Sequence, residues 1–353
     1  MRLHLDKIAS VTRGLRLQRT VTTTDAIQAA PGAVVAGRVR GEKSTYNHLE
    51  DVHGRMTVLH DGDVIAGALG HRSALHGYEG VVPDSVSAGD VLNILNLGGV
   101  IGRCVSRNPE VGRPFEVELL GQVLAYPEFQ SRQPQPAALS LGALAGRPAA
   151  STPPVVYVMG TCMNAGKTAA ACAIVRSFSQ AGFRVGGAKL TGVSLMRDIL
   201  SMSDYGADVA LDFTDAGVAS TSAGTAAGVA HVLFSELATR SVDVIVAETG
   251  DGIMGEYGVQ AILADPVLRG HGRAFVLCAN DPVGVAGGVS SLRDRFGIAV
   301  DLVAGPATDN GVGVRFVERE LGLPAVNART DARRLGAAVM DRMALAPLAG
   351  GGR

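Results

Sequence analysis

The chain has 353 residues, 47% of them hydrophobic and 18% charged, which is enough for two ordinary domains with sizeable cores. Its formal net charge is −1, only 4% of its residues are aromatic, and it contains no Trp. Proteins that bind nucleic acids use basic patches and aromatic stacking surfaces, and anionic membranes attract basic patches, so we expect neither kind of partner.

The remaining composition favours a reduced, cytoplasmic protein. Residues 1–17 contain no uninterrupted apolar stretch of the signal-peptide type, and no window offers the ~18 apolar residues of a membrane span. The four cysteines are not arranged in Cys-x-x-Cys pairs, which predicts neither a disulfide framework nor a zinc site. They are Cys104, Cys162, Cys172 and Cys278.

Residues 1–126 are predicted to form a β-rich domain whose role the sequence does not reveal. Short apolar runs, broken by Gly, Asp and Pro, recur at close spacing, as in a small β-barrel or sandwich. Gly89-Asp90 and Gly98-Gly99 are candidates for its tight corners. The runs lie at residues 33–39, 56–59, 64–66, 91–95, 99–102 and 115–119.

Residues 127–153 are predicted to be a linker, because Pro, Ala, Ser and Gly dominate there and six prolines fall within 127–154. We expect an α/β domain at 154–345 and a flexible tail at 346–353.

The α/β prediction rests on continuous apolar strands that alternate with helical segments. This pattern indicates a mostly parallel sheet covered by helices on both faces, with the loops after the strands along one edge, where ligands bind. Strands are predicted at 154–159, 185–190, 242–247, 274–279, 300–304 and 324–327, and helices at 167–180, 224–240, 316–321 and 331–344.

The loop after the first of these strands has the pattern of a phosphate-binding P-loop. It ends in an intact Gly-Lys-Thr, although five residues separate its outer glycines where the usual motif has four. Lys167 is expected to neutralise β- and γ-phosphate oxygens, and Thr168 to offer a hydroxyl to Mg²⁺. The other residues expected to contact the nucleotide through this loop are Gly160, Thr161, Asn164, Ala165 and Gly166.

The loop Gly160 to Thr168 resembles that of the dethiobiotin synthetase-like class of P-loop proteins, which includes the cobyrinic acid a,c-diamide and cobyric acid synthases. It is also similar to the C-terminal domain of the D-glutamate N-acetyltransferase family. The resemblance covers roughly residues 155–331, and no part of 1–126 shares it. It implies an ATP- and Mg²⁺-dependent enzyme acting on a small-molecule substrate, and a homodimer.

The resemblance also implies roles for polar residues near the strand ends. Lys189 matches a Lys that faces substrate and phosphates. Asp208, in the run 207–211, matches an Asp that helps to hold Mg²⁺. Asp204 is the reserve candidate, since a spacing of four would place both carboxylates on one face of a helix if the segment is helical.

Glu248 follows the buried strand predicted at 242–247, where a Walker B carboxylate holds Mg²⁺ directly or through water. The resembling families have Glu-Gly-x-Gly here, whereas this chain has Glu-Thr-Gly-Asp-Gly. The shifted glycine makes Asp251 a second candidate. Lys167, Lys189 and Glu248 form the predicted catalytic set, and Thr168, Asp208 and Glu248 the predicted metal ligands.

Two further groups are less specific. Asn280 follows a later strand, where it is expected to contact the nucleotide base, although Asp281-Pro282 is also typical of a turn and no Asn-Lys-x-Asp guanine motif is present. His48, His53, His60, His71 and His76 fall in one stretch whose spacing matches no familiar metal site. Surface roles are favoured for them, while a metal site and a substrate-contacting loop at 43–48 stay open.

The leading functional hypothesis is transfer of the ATP γ-phosphoryl group to a carboxylate, which an amine then attacks to form an amide, or to another acceptor. The likeness to the D-glutamate N-acetyltransferase family implies the alternative of acyl transfer from acetyl-CoA. A third hypothesis is a nucleotide-hydrolysing switch, as in metal-delivery or assembly NTPases.

Overall fold

The structure is a computed structural model that describes residues 1–126, 133–146 and 151–346. Parts of the predicted linker, and all but the first residue of the predicted tail at 346–353, lie outside the described residues. The chain divides into two units. The first comprises Met1–Leu144, Val193–Arg197 and Phe213–Ser220, and the second comprises Ala145–Gly192, Asp198–Asp212 and Thr221–Arg353.

The first unit is built from short strands, as the sequence predicted. Three 3₁₀ helices accompany them, at Ser10–Leu15, Pro109–Val111 and Leu139–Gly142. The strands are β1 Arg2–His4, β2 Lys7–Ile8, β3 Thr20–Thr24, β4 Val34–Arg40, β5 His48–Glu50, β6 Met56–Val58, β7 Val64–Leu69, β8 Arg72–Ser73, β9 Tyr78–Val81, β10 Val91–Ile94, β11 Val100–Arg107, β12 Glu116–Ala125 and β13 Gln135–Pro136.

Five of these strands close into a ring, which makes the β-rich unit a barrel. Strand β12 pairs with β4, β4 with β7, β7 with β11, β11 with β10, and β10 returns to β12. Only the β7–β11 pair of this ring is parallel. The predicted corner at Gly99 is confirmed, because its φ is 86° and a Cβ there would lie 2.2 Å from the Cβ of Ala9.

Segments outside residues 1–126 complete the first unit. Part of the predicted linker belongs to it, since β13 pairs with β12 and the side chains of Ala137 and Leu139 lie in its core. Two stretches from within 154–345 also belong to it, and one of them supplies Ala219 to the same core. The division between the units at Leu144 therefore lies later in the chain than the predicted one, and 154–345 is not one continuous unit.

The second unit contains the alternating strands and helices. A 3₁₀ turn lies at Pro306–Thr308. The strands are β14 Val155–Gly160, β15 Val185–Lys189, β16 Val209–Asp212, β17 Val244–Glu248, β18 Gly272–Cys278 and β19 Leu302–Ala304. The helices of the chain are α1 Lys167–Gln180, α2 Arg197–Asp204, α3 Ala226–Thr239, α4 Val259–Ala264, α5 Pro266–Gly270, α6 Pro282–Phe296, α7 Gly311–Glu320 and α8 Ala332–Arg342.

The six strands form one parallel sheet in the order β16-β15-β17-β14-β18-β19, which confirms the predicted parallel sheet. Successive side chains of β14 point to opposite faces. Val156 and Val158 pack in a core shared with α1 and α8. Tyr157 faces the other way, where its ring contacts Phe234 of α3 and its hydroxyl donates to Leu268 O of α5 at 2.7 Å. Helices therefore cover both faces.

Two of the differences from the predicted elements have local reasons. Residues 324–327 form only an isolated bridge, between Val303 and Ala325, where a four-residue strand was expected. The Asp281-Pro282 turn is in fact the start of α6, because the Asp281 side chain accepts the N–H of Gly284 and Pro occupies the first helical position. Among the described residues, no helix has both the length and the apolar character needed to cross a membrane.

We predict that Gly121→Ala lowers the free energy of unfolding by ~1–3 kcal/mol. Gly121 has a φ of 140° at a register shift between β12 and β4, and a Cβ there would lie 2.7 Å from Thr24 O. The control is Gly228→Ala in α3, where nothing lies within 4 Å of the new Cβ; it should raise stability by ~0.5–1 kcal/mol. Urea unfolding of the full chain measures both, and equal midpoints for wild type and Gly121→Ala would contradict the prediction.

Candidate functional site

The Gly-rich loop joins β14 to α1 at the carboxyl edge of the sheet, as the sequence predicted. Asn164 and Gly166 have φ values of 60° and 85°, so the backbone turns sharply into the helix. A Cβ at Gly160 would lie 2.7 Å from the side chain of Lys167, which makes this glycine a packing requirement. A loop of this form, followed by a helix N-terminus, directs backbone N–H groups towards an anion.

Lys167 is a buried cation beside this loop. Its side chain is 6% exposed, and its Nζ donates to Cys162 O at 2.7 Å. Burial, with the nearby charge of Lys189, lowers the pKa of Lys167. A buried ammonium held by a neutral carbonyl is a strong attractor for an anion, because a phosphate oxygen would offer it a charged partner.

A cluster of three charged side chains and one hydroxyl lies at the ends of the neighbouring elements. Lys189, the last residue of β15, contacts Glu248 Oε1 at the end of β17 and Asp198 Oδ2 in α2, the latter at 2.7 Å. Thr168 Oγ1 donates to Glu248 Oε1 at 3.0 Å and lies 3.4 Å from Asp198 Oδ1. The predicted residues Lys189, Glu248 and Thr168 are thus brought together.

The electrostatics of the cluster follow from its burial. Lys189 is 9% exposed and Glu248 1%. Burial alone would lower the pKa of Lys189, but Asp198 and Glu248 together hold that pKa above its ordinary value. Burial raises the pKa of Glu248, with Lys189 opposing the shift. The lysine therefore stays charged, while the glutamate depends on the lysine for its ionisation.

These oxygen atoms fit a magnesium ion. Glu248 Oε2 is buried and has no hydrogen-bond partner within the described chain, so it is a free acceptor beside Thr168 and Asp198. Mg²⁺ prefers oxygen ligands and is usually held by one or two carboxylates together with substrate phosphates and water. The described residues contain no group of three or more His, Cys, Asp and Glu side chains arranged for a metal. The histidine-rich stretch therefore forms no such site there.

The two aspartates proposed from the resemblance lie elsewhere. Asp208 precedes β16, and its carboxylate accepts the N–H of Val185, at the amino-terminal edge of the sheet. Asp204 is the exposed last residue of α2, so the two carboxylates do not share a helix. Asp198 takes their place in the cluster. It was not predicted from the sequence, because it lies in the first turn of a short helix that was itself not predicted.

The loop after Glu248 packs closely against the phosphate-loop backbone. Thr249 N donates to Val158 O at 3.0 Å, and a Cβ at Gly252 would lie 2.4 Å from Thr161 O. Asp251 has a φ of 64°, and burial raises its pKa. In this Glu-Thr-Gly-Asp-Gly sequence, the loop therefore turns at Asp251, and Gly252 allows the close approach to the phosphate loop.

The remaining residues predicted to contact the nucleotide are Asn280 and members of the phosphate loop itself. Asn280 follows β18, is exposed, and donates to Cys162 Sγ at 3.2 Å. Thr161 N donates to Cys278 O at 3.0 Å, and Ala165 is fully buried. A Cβ at Gly305 would lie 2.3 Å from Ala165 O, so the segment after β19 also contacts the phosphate loop.

No protein-family model and no curated protein matches the sequence. Solved structures show a weak likeness. The signal recognition particle 54 kDa protein from Aeropyrum pernix K1, in complex with GDP, is 17% identical over 55% of this chain, with a TM-score of 0.37; this chain covers 47% of it, under half its length. The signal recognition particle receptor FtsY from Elizabethkingia anophelis, in complex with GDP, is 12% identical over 56% of this chain and 66% of its own, with a TM-score of 0.37.

The cell division protein FtsY from Thermotoga maritima is 17% identical over 56% of this chain and 72% of its own, with a TM-score of 0.37. At these scores the likeness supports no inference about function.

We predict that Lys189→Met destabilises the protein by ~3–5 kcal/mol at pH 8, because the buried Glu248 carboxylate and the half-buried Asp198 carboxylate lose their partner. The loss should shrink towards pH 5. Glu248 already has a raised folded-state pKa, and removal of the lysine raises it further. The native state then binds a proton that the unfolded state has released, so stability falls as pH rises above the unfolded value of ~4.3.

Urea unfolding between pH 5 and pH 8 measures this loss. Adding Glu248→Gln to Lys189→Met should remove most of the pH dependence. Arg240→Met, which breaks an exposed pair with Glu236, should cost less than ~1 kcal/mol. A pH-independent loss in Lys189→Met would contradict the assigned charge state.

Proposed function

We propose that the protein binds ATP together with Mg²⁺ and transfers the γ-phosphoryl group of ATP to a small-molecule acceptor. One observation carries the proposal. The buried Lys167 lies beside the glycine loop, and the next residue, Thr168, contacts the carboxylates of Asp198 and Glu248. A cation for the phosphates and a set of oxygen ligands for a metal thus occur together, around the first turn of α1.

Each residue has a defined task in this mechanism. The loop N–H groups and Lys167 hold the phosphates and offset charge on the oxygens of the transferred group. Thr168, Glu248 and Asp198 would hold Mg²⁺, which when bound neutralises and orients the phosphate oxygens. Lys189 favours the ionised form of Glu248, since its charge opposes the rise in the pKa of that carboxyl.

We propose a carboxylate as the acceptor. Its oxygen attacks the γ-phosphorus, the bond to the bridging oxygen breaks, and ADP leaves with the electron pair, giving an acyl phosphate for an amine to attack. The support for this finer step is the resemblance of residues 155–331 to the dethiobiotin synthetase-like class. In such reactions catalysis consists mostly of positioning and charge neutralisation.

The nucleotide proposal predicts that Mg·ATP stabilises the wild type and not Lys167→Ala. A ligand at ~100 times its dissociation constant adds ~2.7 kcal/mol to native stability. Thermal unfolding with Mg·ATP, Mg·GTP and acetyl-CoA measures the effect. Arg176→Ala, an exposed position on the same helix, is the control and should respond as the wild type does.

The outcomes separate the alternatives. A shift only with acetyl-CoA would favour acyl transfer, and a shift only with GTP would replace ATP as the nucleotide. ADP release that no carboxylate or amine accelerates would favour a hydrolysing switch. If no nucleotide stabilises the wild type, the proposal fails.

The magnesium ligands yield a second prediction. Thr168→Ala should show a smaller Mg²⁺ enhancement of ATP binding than the wild type, whereas Thr168→Ser, which keeps the hydroxyl, should retain the full enhancement. Titration of a fluorescent ATP analogue in Mg²⁺ and in EDTA measures both. An undiminished Mg²⁺ enhancement in Thr168→Ala would exclude the hydroxyl as a ligand.

A further inference from the structure

The first unit contains a buried arginine with no acidic partner. Arg72, in β8, is 5% exposed, and no aspartate or glutamate of the described residues forms an ion pair with it. A buried charge is costly unless an opposite charge or a full set of hydrogen bonds offsets the loss of water. The contacts of its guanidinium therefore show whether the site is complete without a ligand.

The hydrogen bonds of Arg72 use only one of its three guanidinium nitrogens. Nη1 donates to the hydroxyl of Tyr46 at 2.9 Å and to Leu95 O. Nε is buried without a hydrogen-bond partner, and Nη2 makes no hydrogen bond within the part of the chain that the structure describes. Nε and Nη2 present two parallel N–H groups on one edge of the guanidinium. Such an edge binds both oxygens of a carboxylate.

The surroundings of the guanidinium suit an organic ligand. Arg72 Cζ lies 5.7 Å from the ring centroid of Tyr46 and 5.9 Å from that of Tyr78. A Cβ at Gly77 would lie 2.5 Å from Nη2, so only glycine leaves room beside this atom. Tyr46 has a φ of 54°, a left-handed conformation that is unfavourable for a bulky side chain. Residues held in such conformations cluster at ligand-binding sites.

A second cation, Lys43, contacts the same tyrosine. Its Nζ lies 5.5 Å from the ring centroid of Tyr78 and donates to the Tyr78 hydroxyl at 2.8 Å, to Val111 O at 3.2 Å and to Arg113 O. All three acceptors are neutral, since burial raises the pKa of Tyr78 to about 12. Lys43 therefore adds positive charge near Arg72 but offers no further donor to a ligand.

We propose that Arg72 binds the carboxylate of a small organic acid through Nε and Nη2, in a site of the first unit that Tyr46, Gly77 and Tyr78 complete. The two donors match the two oxygens of a carboxylate, whereas a sulfate or phosphate group has more oxygens than this edge can satisfy. The tyrosine rings contact the apolar part of the acid. Because Nε is buried, entry of the acid requires the hairpin tip at 74–77, between β8 and β9, to move away from the guanidinium.

The test is isothermal titration calorimetry of the full chain with benzoate and with glutarate, at constant ionic strength. At least one of these acids should bind the wild type saturably at one site, and sulfate should not. Arg72→Lys keeps the charge and loses the two-donor edge, so it should weaken binding ~10-fold or more. Should Arg72→Lys fail to fold, Gly77→Ala keeps the arginine, places a methyl group against Nη2 and should weaken binding by a similar factor.

The matched control is Arg103→Lys. Arg103 is an exposed arginine of β11 in the same unit, so this variant should bind the acid as the wild type does. The proposal is overturned if neither acid binds the wild type saturably, if sulfate binds equally well, or if a folded Arg72→Lys or Gly77→Ala variant keeps the wild-type affinity. None of these residues is assigned to nucleotide binding, so these outcomes leave the proposed function unaffected.

Discussion

The ammonium group of Lys189 lies between the carboxylates of Asp198 and Glu248, and the candidate site depends on this buried arrangement. None of the three charges is stable there alone, since an isolated ion in a low-dielectric interior is strongly disfavoured. With Lys167, the cluster has two ammonium groups and two carboxylates, so it is neutral without a ligand. Mg²⁺ that enters with the phosphates would offset part of their negative charge, and the two ammonium groups would face the remainder.

The parallel register explains why residues far apart in sequence form this cluster. Lys189 pairs with Glu248 across β15 and β17, and Glu248 pairs with Val158 across β17 and β14. Because all six strands run the same way, their carboxyl ends lie along one edge. The polar residue that follows each apolar strand therefore reaches that edge with no need for long loops.

This geometry also decides how much the sequence could reveal. The P-loop, Lys189 and Glu248 were predictable, because each follows a continuous apolar strand and their place at the edge follows from the topology. Asp208 precedes its strand, so a local likeness assigned it to an edge that the chain direction excludes. Asp198 lies on a helix of eight residues within a long connection, and so short a stretch is difficult to recognise as a helix from its sequence. Helix α6 was missed because Gly284, Gly287 and Gly288 weaken its helical pattern.

The barrel was predictable as a class, since short strands and glycine corners recur at close spacing. The completion of the barrel by distant segments was not predictable. The hydrophobic pattern within 154–345 gives no sign that residues 193–197 and 213–220 belong to the first unit. Ser194 N donates to Ala219 O, Ser194 O accepts from the Asn96 side chain, and Ala219 packs in the barrel core. Such contacts depend on tertiary placement, and no local propensity encodes them.

Residues 193–197 and 213–220 belong to the first unit, although the sequence on either side of each belongs to the second. This arrangement has a consequence for the order in which the two units are completed during synthesis. A chain emerging from the ribosome presents all strands of the barrel ring by residue 125, but Ala219, part of the barrel core, arrives almost a hundred residues later. The first unit therefore completes its core only after the phosphate loop and three strands of the second sheet have also emerged. Maturation of the two units is interleaved in time, and a translational stall or truncation between these points would leave an incompletely filled barrel exposed to chaperones and proteases.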